Sequence, residues 1–194
     1  MIKGVLLAAG KSSRFGAHKL LHPLPDGNPI GVTAARNLLA VLPDSVAIVR
    51  PGDRLLAEQL ATTGIHIVVN EHADSGMGTS LACGVCATSA AKGWIVALAD
   101  MPFIQTKSIR AVATVLDNRD TIAVPYHRGK QGHPVGFGKR YQPQLSQLYG
   151  DRGARRIIEQ NRKQIHRVEV DDPGVLSDID LPSELNIHPS HTSY

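Results

Sequence analysis

A short apolar segment that runs directly into a glycine-rich, cationic loop constrains this chain more than any other feature of its sequence. Residues 5–9 are all apolar and end at Gly10, which is typical of a strand buried on both faces of a sheet. The loop that follows combines small residues with cations: Gly10, Ser12, Ser13 and Gly16 with Lys11, Arg14 and Lys19. Backbone N–H groups beside cations at the end of a buried strand favour a phosphate site, against the alternative of a solvated surface turn.

Length and composition limit the classes of protein that need to be considered. The 194 residues fit one domain, predicted over residues 1–185, with residues 186–194 as a disordered tail. No apolar run approaches the roughly 20 residues of a membrane span, and the N-terminus leads straight into a strand, so we expect a cytoplasmic protein without a membrane partner. A net charge of +4 with only 4% aromatic residues disfavours nucleic acid as a partner.

Apolar strands and helical patterns alternate along the first half of the chain. Strands are predicted at residues 45–49, 65–69 and 93–98, with helices at 33–42 and 55–62 before the first and the second of them. This alternation predicts an α/β fold with a mostly parallel sheet. In the second half we expect helices over 108–116 and 141–148, strands over 121–125 and 135–138, and an edge strand over 164–170.

Two further features are predicted to lie at the same edge of that sheet as the cationic loop. Residues 70–79 form a polar, glycine-rich segment before a helix that begins near Ser80, either offering donors to a ligand or capping the helix. Asp100 follows strand 93–98 almost immediately. Because a buried carboxylate is costly unless it is paired or holds a cation, Asp100 is interpreted as a Mg²⁺ ligand rather than a capping residue.

Charged residues of the second half provide candidates for the rest of a site. His133 lies in a basic segment, residues 126–134. Residues 150–156 form a glycine-framed turn with three arginines, which either faces an anion or is a solvated helix start. Asp178 and Asp180 share a face if their segment is extended, so one of them could complete a metal site with Asp100.

Cys83 and Cys86 form a C-x-x-C pair inside an apolar, helical segment. Such a pair can be a redox centre or half of a zinc site, but no second pair accompanies it. We therefore interpret both as small buried residues of a helix.

Motifs spread over nearly the whole chain carry a family resemblance. The opening segment matches the signature L-A-A-G-x-S-x-R-x-G-x-x-K at Leu7, Ala8, Ala9, Gly10, Ser12, Arg14, Gly16 and Lys19. Later matches lie at residues 78–81, 99–102, 132–135, 150–155 and 178–182. Together they resemble the molybdenum cofactor cytidylyltransferases of the NTP-transferase superfamily. The resemblance implies a Rossmann-like, three-layer nucleotidyltransferase fold.

The resemblance also implies a reaction, in which CMP passes from CTP to the phosphate of molybdenum-loaded molybdopterin and pyrophosphate is released. It implies catalysis by Arg14, Lys19 and Asp100, with Mg²⁺ on Asp100 and Asp180 and Asp178 as the substitute for Asp180. The implied nucleotide-binding residues are Leu7, Ala8, Ala9, Gly10, Ser12, Arg14, Lys19, Ser80 and Asp100. The implied acceptor-binding residues are His133, Asp151 and Arg155.

Several alternatives stay open from the sequence. Relatives that use GTP usually carry Leu-Ala-Gly-Gly, so Ala9 favours CTP, but GTP or another NTP with a different phosphorylated acceptor remains an alternative. A second alternative is a non-catalytic carrier of the molybdenum cofactor. A molybdoenzyme or an insertion chaperone is the protein partner that these hypotheses suggest.

Overall fold

The described residues form eight strands and six α-helices. The computed structural model describes residues 1–10, 15, 18–181 and 183–184. The strands are β1 (Ile2–Leu7), β2 (Val46–Val49), β3 (His66–Val69), β4 (Gly93–Leu98), β5 (Ile122–His127), β6 (Lys130–Gln131), β7 (Val135–Gly138) and β8 (Ile165–Glu169). The helices are α1 (Ile30–Leu39), α2 (Arg54–Ala61), α3 (Met77–Ala87), α4 (Thr106–Thr114), α5 (Gln142–Leu145) and α6 (Arg155–Gln160).

All eight strands belong to one central sheet. Seven lie in the order β3-β2-β1-β4-β7-β5-β6, and β8 pairs with β5. β1 is parallel to both of its neighbours, so that Val5 lies opposite Val46 and Val96, whereas β7 is antiparallel to β4 and β5. The predicted α/β fold with a mostly parallel sheet is confirmed. Because β1 and β4 run the same way, their carboxyl ends meet at one edge of the sheet.

Alternating side chains of the strands build a core on each face of the sheet. Leu6 and Ile95 belong to one core, which is completed by helices α1, α2 and α4. Val5 and Ile48 belong to the other, completed by α3, α5 and α6. A Cβ at Gly84 would collide with the Val5 side chain, so this glycine lets α3 lie directly on β1. The start of α3 is thereby fixed beside the carboxyl end of β1.

The structure differs from the sequence predictions in two places near that edge. Helix α3 begins at Met77 rather than near Ser80, because Gly76 supplies the N-cap and the Thr79 hydroxyl donates to its carbonyl. The predicted basic loop over residues 126–134 contains a hairpin between β5 and β6, whose turn places Arg128 and Gly129 at φ 50° and 78°. The edge strand predicted over 164–170 is β8, parallel to β5.

No helix within the described part of the chain is long and apolar enough to cross a lipid bilayer.

Candidate active site

The carboxyl ends of β1 and β4 open into a cleft with two adjoining cavities. Leu7, Leu98 and Met77 line both cavities and mark the boundary between them. The smaller cavity has a volume of about 530 Å³ and the larger about 700 Å³. Each is large enough for a small molecule, so the cleft can hold two ligands side by side.

Lys19 lies between two carboxylates in the smaller cavity. Its Nζ donates to Asp100 Oδ2 at 2.8 Å and to Asp180 Oδ1 at 3.3 Å. Asp100 follows β4 by two residues, and its carbonyl accepts a hydrogen bond from the backbone N–H of Ile179 at 3.0 Å. That bond holds the segment carrying Asp180 against the end of β4. The two carboxylates therefore converge on one cation, although 80 residues of chain separate them.

The same geometry suits a divalent cation. Two oxygens that approach one ammonium nitrogen from neighbouring segments could also reach one hard metal ion, which prefers carboxylate ligands. Within the described residues no set of three or more acidic, histidine or cysteine side chains converges on one point. A Mg²⁺ ion held by Asp100 and Asp180 would thus need its remaining ligands from water and substrate phosphates, the usual arrangement for Mg²⁺.

The charge state of Lys19 follows from its surroundings. Burial alone would lower the pKa of Lys19, but the hydrogen bonds and negative charges of Asp100 and then Asp180 outweigh it, so the pKa lies above its ordinary 10.5. Lys19 is therefore positively charged at neutral pH and can attract an anionic group in this cavity.

Replacing Lys19 with methionine is expected to destabilise the metal-free protein by about 1–2 kcal/mol at pH 8, because two carboxylates lose their shared donor. A group whose pKa is raised in the folded state stabilises below its unfolded pKa and loses that effect as pH rises through the folded value. The stability gap between wild type and Lys19→Met should therefore narrow above about pH 10.5.

Urea unfolding at pH 8 and pH 11 in the presence of a chelator measures that gap. Lys3→Met is the matched control, since Lys3 pairs with Asp44 at 3.2 Å on the surface. A gap for Lys19→Met that is unchanged at pH 11 would contradict the pairing described above.

Most of the predicted nucleotide-binding residues that the structure describes line the smaller cavity: Leu7, Ala9, Gly10, Lys19, Ser80 and Asp100. Ala8 does not line it, because this buried residue uses its N–H in the sheet, donating to the Ile48 carbonyl at 2.9 Å. Ser12, Arg14 and Gly16 lie outside the described residues, so their roles stay predictions. Asp151 also lines the smaller cavity, on a loop that reaches it from the larger one.

The larger cavity is cationic. Its charged and polar lining residues are Gln131, His133, Arg152, Arg155, Glu159, Arg162 and Arg167. Arg155 donates to Glu159 at 3.1 Å, and the Arg167 guanidinium lies 4.0 Å from the centre of the Tyr126 ring. Because four guanidinium groups and only one carboxylate line this cavity, it favours an anionic ligand with planar parts.

Sequence reasoning identified Arg152, Arg155 and His133 but missed Arg162 and Arg167. Arg167 lies on β8, and the parallel pairing of β8 with β5 brings it opposite Val124 in the sheet. A run of cations near residue 155 gave a local signal, whereas Arg167 reaches the cavity through the pairing of β8 with β5, and Arg162 lies just beyond the end of α6.

His133 is a neutral side chain at the boundary of the site. Its backbone N–H donates to the Val175 carbonyl at 2.8 Å, and its buried Nδ1 has no hydrogen-bond partner among the described residues. Burial lowers the pKa of His133, and the negative charges of Asp100 and Asp178 only partly oppose that shift. The charge of Asp178 thus affects the pKa of His133, whereas Asp180 contacts Lys19.

Cys83 and Cys86 on α3 are free thiols. Burial, followed by the neighbouring Cys86, raises the pKa of Cys83, so its unreactive thiol form dominates at neutral pH. Both cysteines lie on a helix as predicted, but the prediction that they are buried was wrong, because Cys83 is only partly buried and Cys86 faces solvent.

The fold and the cleft together define an α/β protein with two adjoining cavities at the carboxyl edge of its sheet, one of them beside a lysine and two carboxylates. Residues 4–167 match the family model described as the MobA-like NTP transferase domain. The chain belongs to this family, and it is a nucleotidyltransferase.

Named relatives support this membership over most of the chain. The sequence is 30% identical to the purine catabolism protein PucB of Bacillus subtilis, over 95% of this chain and 94% of PucB. It is 24% identical to the nicotine blue oxidoreductase of Paenarthrobacter nicotinovorans, again over 95% of this chain and 94% of that protein. The crystal structure of Rv0371c from Mycobacterium tuberculosis superposes with a TM-score of 0.82 at 25% identity, covering 95% of each chain. Rv0371c has also been crystallised in complex with manganese.

Proposed function

We propose that this enzyme transfers CMP from CTP to the phosphate of molybdenum-loaded molybdopterin and releases pyrophosphate. An oxygen of the acceptor phosphate forms a bond to the α-phosphorus of CTP, and the bond from that phosphorus to the β-phosphate oxygen breaks. The observation that carries the proposal is the pair of adjoining cavities, one with Lys19 and Asp100 and the other with four arginines.

The reaction needs positioning and charge neutralisation more than proton transfer. A phosphate oxygen is already ionised at neutral pH, so the acceptor needs no strong general base. Lys19 holds a phosphate oxygen of the triphosphate and neutralises charge that develops on pyrophosphate. Asp100 and Asp180 would hold Mg²⁺, which supplies Lewis-acid stabilisation of the same charge when bound. Arg14 joins Lys19 in this role by the family resemblance.

The nucleotide occupies the smaller cavity in this proposal. Its lining residues Leu7, Ala9 and Gly10 present rigid backbone at the end of β1, and Ser80 presents a hydroxyl from α3. Donors and acceptors fixed in rigid backbone discriminate bases well, because a mismatched base leaves buried polar groups unpaired. The choice of CTP over GTP rests on Ala9 within Leu-Ala-Ala-Gly.

The acceptor occupies the larger cavity. Arg155 and Arg167 suit its anionic groups, the Arg167 guanidinium stacked on the Tyr126 ring offers a planar surface to a heterocycle, and His133 lines the same cavity. Asp151 lies on the acceptor loop but lines the nucleotide cavity. A role for Asp151 towards the acceptor thus requires the phosphate to cross the boundary between the cavities, as the transfer itself does.

Replacing Arg167 with alanine is expected to raise KM for the acceptor about tenfold while changing the Kd for the nucleotide less than twofold, because one cationic contact to one substrate is lost. Steady-state kinetics with varied acceptor, together with nucleotide titration, measure both constants. Arg110→Ala is the control, since Arg110 lies on α4 and lines neither cavity. An equal loss for both substrates would contradict the division of the cleft.

Two alternatives share parts of this evidence. An enzyme that uses GTP or another NTP, or a different phosphorylated acceptor, would use the same cleft. A carrier without catalysis would not need two carboxylates converging on Lys19, so the geometry favours the enzyme. Delivery to a molybdoenzyme or an insertion chaperone, and a cytoplasmic location, stay predictions.

Thermal unfolding with Mg²⁺ and each of CTP, GTP, ATP and UTP tests the nucleotide assignment. A ligand that binds only the native state stabilises it by RT ln(1 + [L]/Kd), about 2.7 kcal/mol at a hundred times Kd. We expect the largest stabilisation with CTP. A larger effect of GTP would move the enzyme to the guanylyl branch, and no effect of any NTP would favour the carrier.

A further inference from the structure

Asn70 occupies a buried position between β3 and the start of α3. It is 4% exposed, and its backbone N–H donates to the Val49 carbonyl at 2.9 Å. Its side-chain Oδ1 accepts a hydrogen bond from the backbone N–H of His72 at 3.0 Å. Because a backbone N–H can only donate, this bond fixes which end of the Asn70 amide is oxygen and which is nitrogen.

The nitrogen end of that amide faces two hydroxyl groups. Asn70 Nδ2 donates to Thr79 Oγ1 at 3.0 Å and to Ser80 Oγ at 3.1 Å. The Thr79 hydroxyl donates to the carbonyls of His72 and Gly76, which both lie 2.8 Å from Thr79 Oγ1. The Ser80 hydroxyl accepts from Asn70, and none of the described residues accepts the Ser80 proton in turn.

Among the residues that the structure describes, the Ser80 hydroxyl therefore has no acceptor for its proton, and Ser80 lines the smaller cavity. Ser80 is 3% exposed and lies one helical turn from Met77, an apolar residue that also lines this cavity. The cationic partner for phosphates, Lys19, comes from a different segment of the chain. A neutral donor beside an apolar wall suits the nucleoside better than the triphosphate.

We propose that Asn70 is a positioning residue that sets the Ser80 hydroxyl as a hydrogen-bond donor to an acceptor atom of the bound nucleoside. This inference rests on the proposed nucleotidyl transfer. An amide that donates to Ser80 Oγ occupies one of its two lone pairs and leaves the Ser80 proton free to turn towards the cavity. A nucleoside that presents a carbonyl oxygen, a ring nitrogen or a ribose oxygen there can accept that proton.

Replacing Asn70 with aspartate reverses the direction of the hydrogen bond to Ser80 and hardly changes the shape of the side chain. The carboxylate can still accept from the His72 N–H, but it accepts from Ser80 instead of donating to it, so the Ser80 proton leaves the cavity. Calorimetric titration of Mg·CTP and of Mg·tripolyphosphate into wild type, Ser80→Ala, Asn70→Asp and the double variant tests the proposal. Tripolyphosphate lacks the nucleoside and thus reports the added charge alone.

A matched control for the added charge is Asn118→Asp. Asn118 Oδ1 accepts from the N–H two residues ahead, that of Asp120 at 2.9 Å, as Asn70 does with His72, but Asn118 lies outside the cleft. We expect Ser80→Ala to weaken Mg·CTP binding about three- to tenfold, the loss of one hydrogen bond, with tripolyphosphate binding unchanged. Asn70→Asp should weaken Mg·CTP binding at least as much as Ser80→Ala does. In the Ser80→Ala protein, Asn70→Asp should weaken Mg·CTP binding further only by the factor that it causes for tripolyphosphate.

The inference would be overturned if Asn70→Asp weakened Mg·CTP binding as much in the Ser80→Ala protein as it does in the wild type. Asn70 would then act independently of Ser80. Equal losses for CTP and tripolyphosphate in Ser80→Ala would also overturn it. Asn70→Ala replaces Asn70→Asp in the same cycle if circular dichroism shows that the aspartate variant is unfolded. Wild-type protein that binds no NTP would reject the proposed function itself, whereas wild-type binding with no effect of either substitution would reject only the role of Asn70.

Discussion

Asp100→Asn is expected to slow nucleotidyl transfer by about two to three orders of magnitude at saturating substrates. Asparagine keeps the shape of the side chain but removes the negative charge that faces Lys19 at 2.8 Å. In the proposed site only one carboxylate, that of Asp180, would then be left to hold Mg²⁺ instead of two. Lys19 also loses its nearer partner, so the cation is positioned less firmly for the triphosphate.

The measurement is initial-rate kinetics over a range of Mg²⁺ concentrations, with Mn²⁺ binding as a readout independent of turnover. We expect weaker Mn²⁺ binding and a much lower kcat in Asp100→Asn, with an unchanged circular dichroism spectrum. Asp44→Asn is the matched control, because Asp44 is a surface carboxylate that pairs with Lys3. A wild-type kcat in Asp100→Asn would remove Asp100 from the mechanism.

Asp172→Ala is expected to lower the free energy of unfolding by about 3 kcal/mol, the largest stability effect that we anticipate outside the apolar core. Asp172 is 0% exposed, and its carboxylate accepts from Gln105 N–H at 2.9 Å, Ser108 Oγ at 2.7 Å and Gly174 N–H at 2.9 Å. Removing it leaves all three donors buried without that partner. The carboxylate also ties the start of α4 to the segment that leads to Asp180.

Urea unfolding at neutral pH measures the loss, and Asp171→Ala is the control. Asp171 is the adjacent residue, but its side chain is 97% exposed, so its removal should change the stability by less than about 0.5 kcal/mol. Equal stabilities of the two variants would show that the buried network contributes nothing. Because Asp172 anchors the segment that continues along the chain to Asp180, we also expect weaker Mn²⁺ binding by any folded Asp172 variant.

The strongest signals in the sequence came from features that are local in the chain. The end of β1, Lys19 and Asp100 were identified because a buried strand that ends in polar residues has few explanations. The match to strands β4 and β7 was complete at residues 93–98 and 135–138. β4 begins at Gly93 and its apolar run stops before Asp100, and β7 begins after Pro134 and ends at Gly138, which leaves little choice of ends.

The remaining parts of the site depend on segments that meet only in the folded chain. Alternation along an extended segment could not choose between Asp178 and Asp180, and the contact with Lys19 favours Asp180. The hydrogen-bond polarity around Asn70 depends on where α3 begins, which was predicted three residues too late. Asp172 was not identified, because two of its three donors, Gln105 and Ser108, belong to the distant start of α4.

The direct test of the central claim is pyrophosphate release from each of the four NTPs in the presence of Mg²⁺ and molybdenum-loaded molybdopterin. We predict release that requires CTP, Mg²⁺ and the acceptor together, with one pyrophosphate formed for each acceptor that gains CMP. Pyrophosphate release from a different NTP would change the assigned nucleotide but keep the proposed type of reaction. No pyrophosphate from any NTP, with folded protein and intact acceptor, would contradict the assignment of this reaction to the cleft.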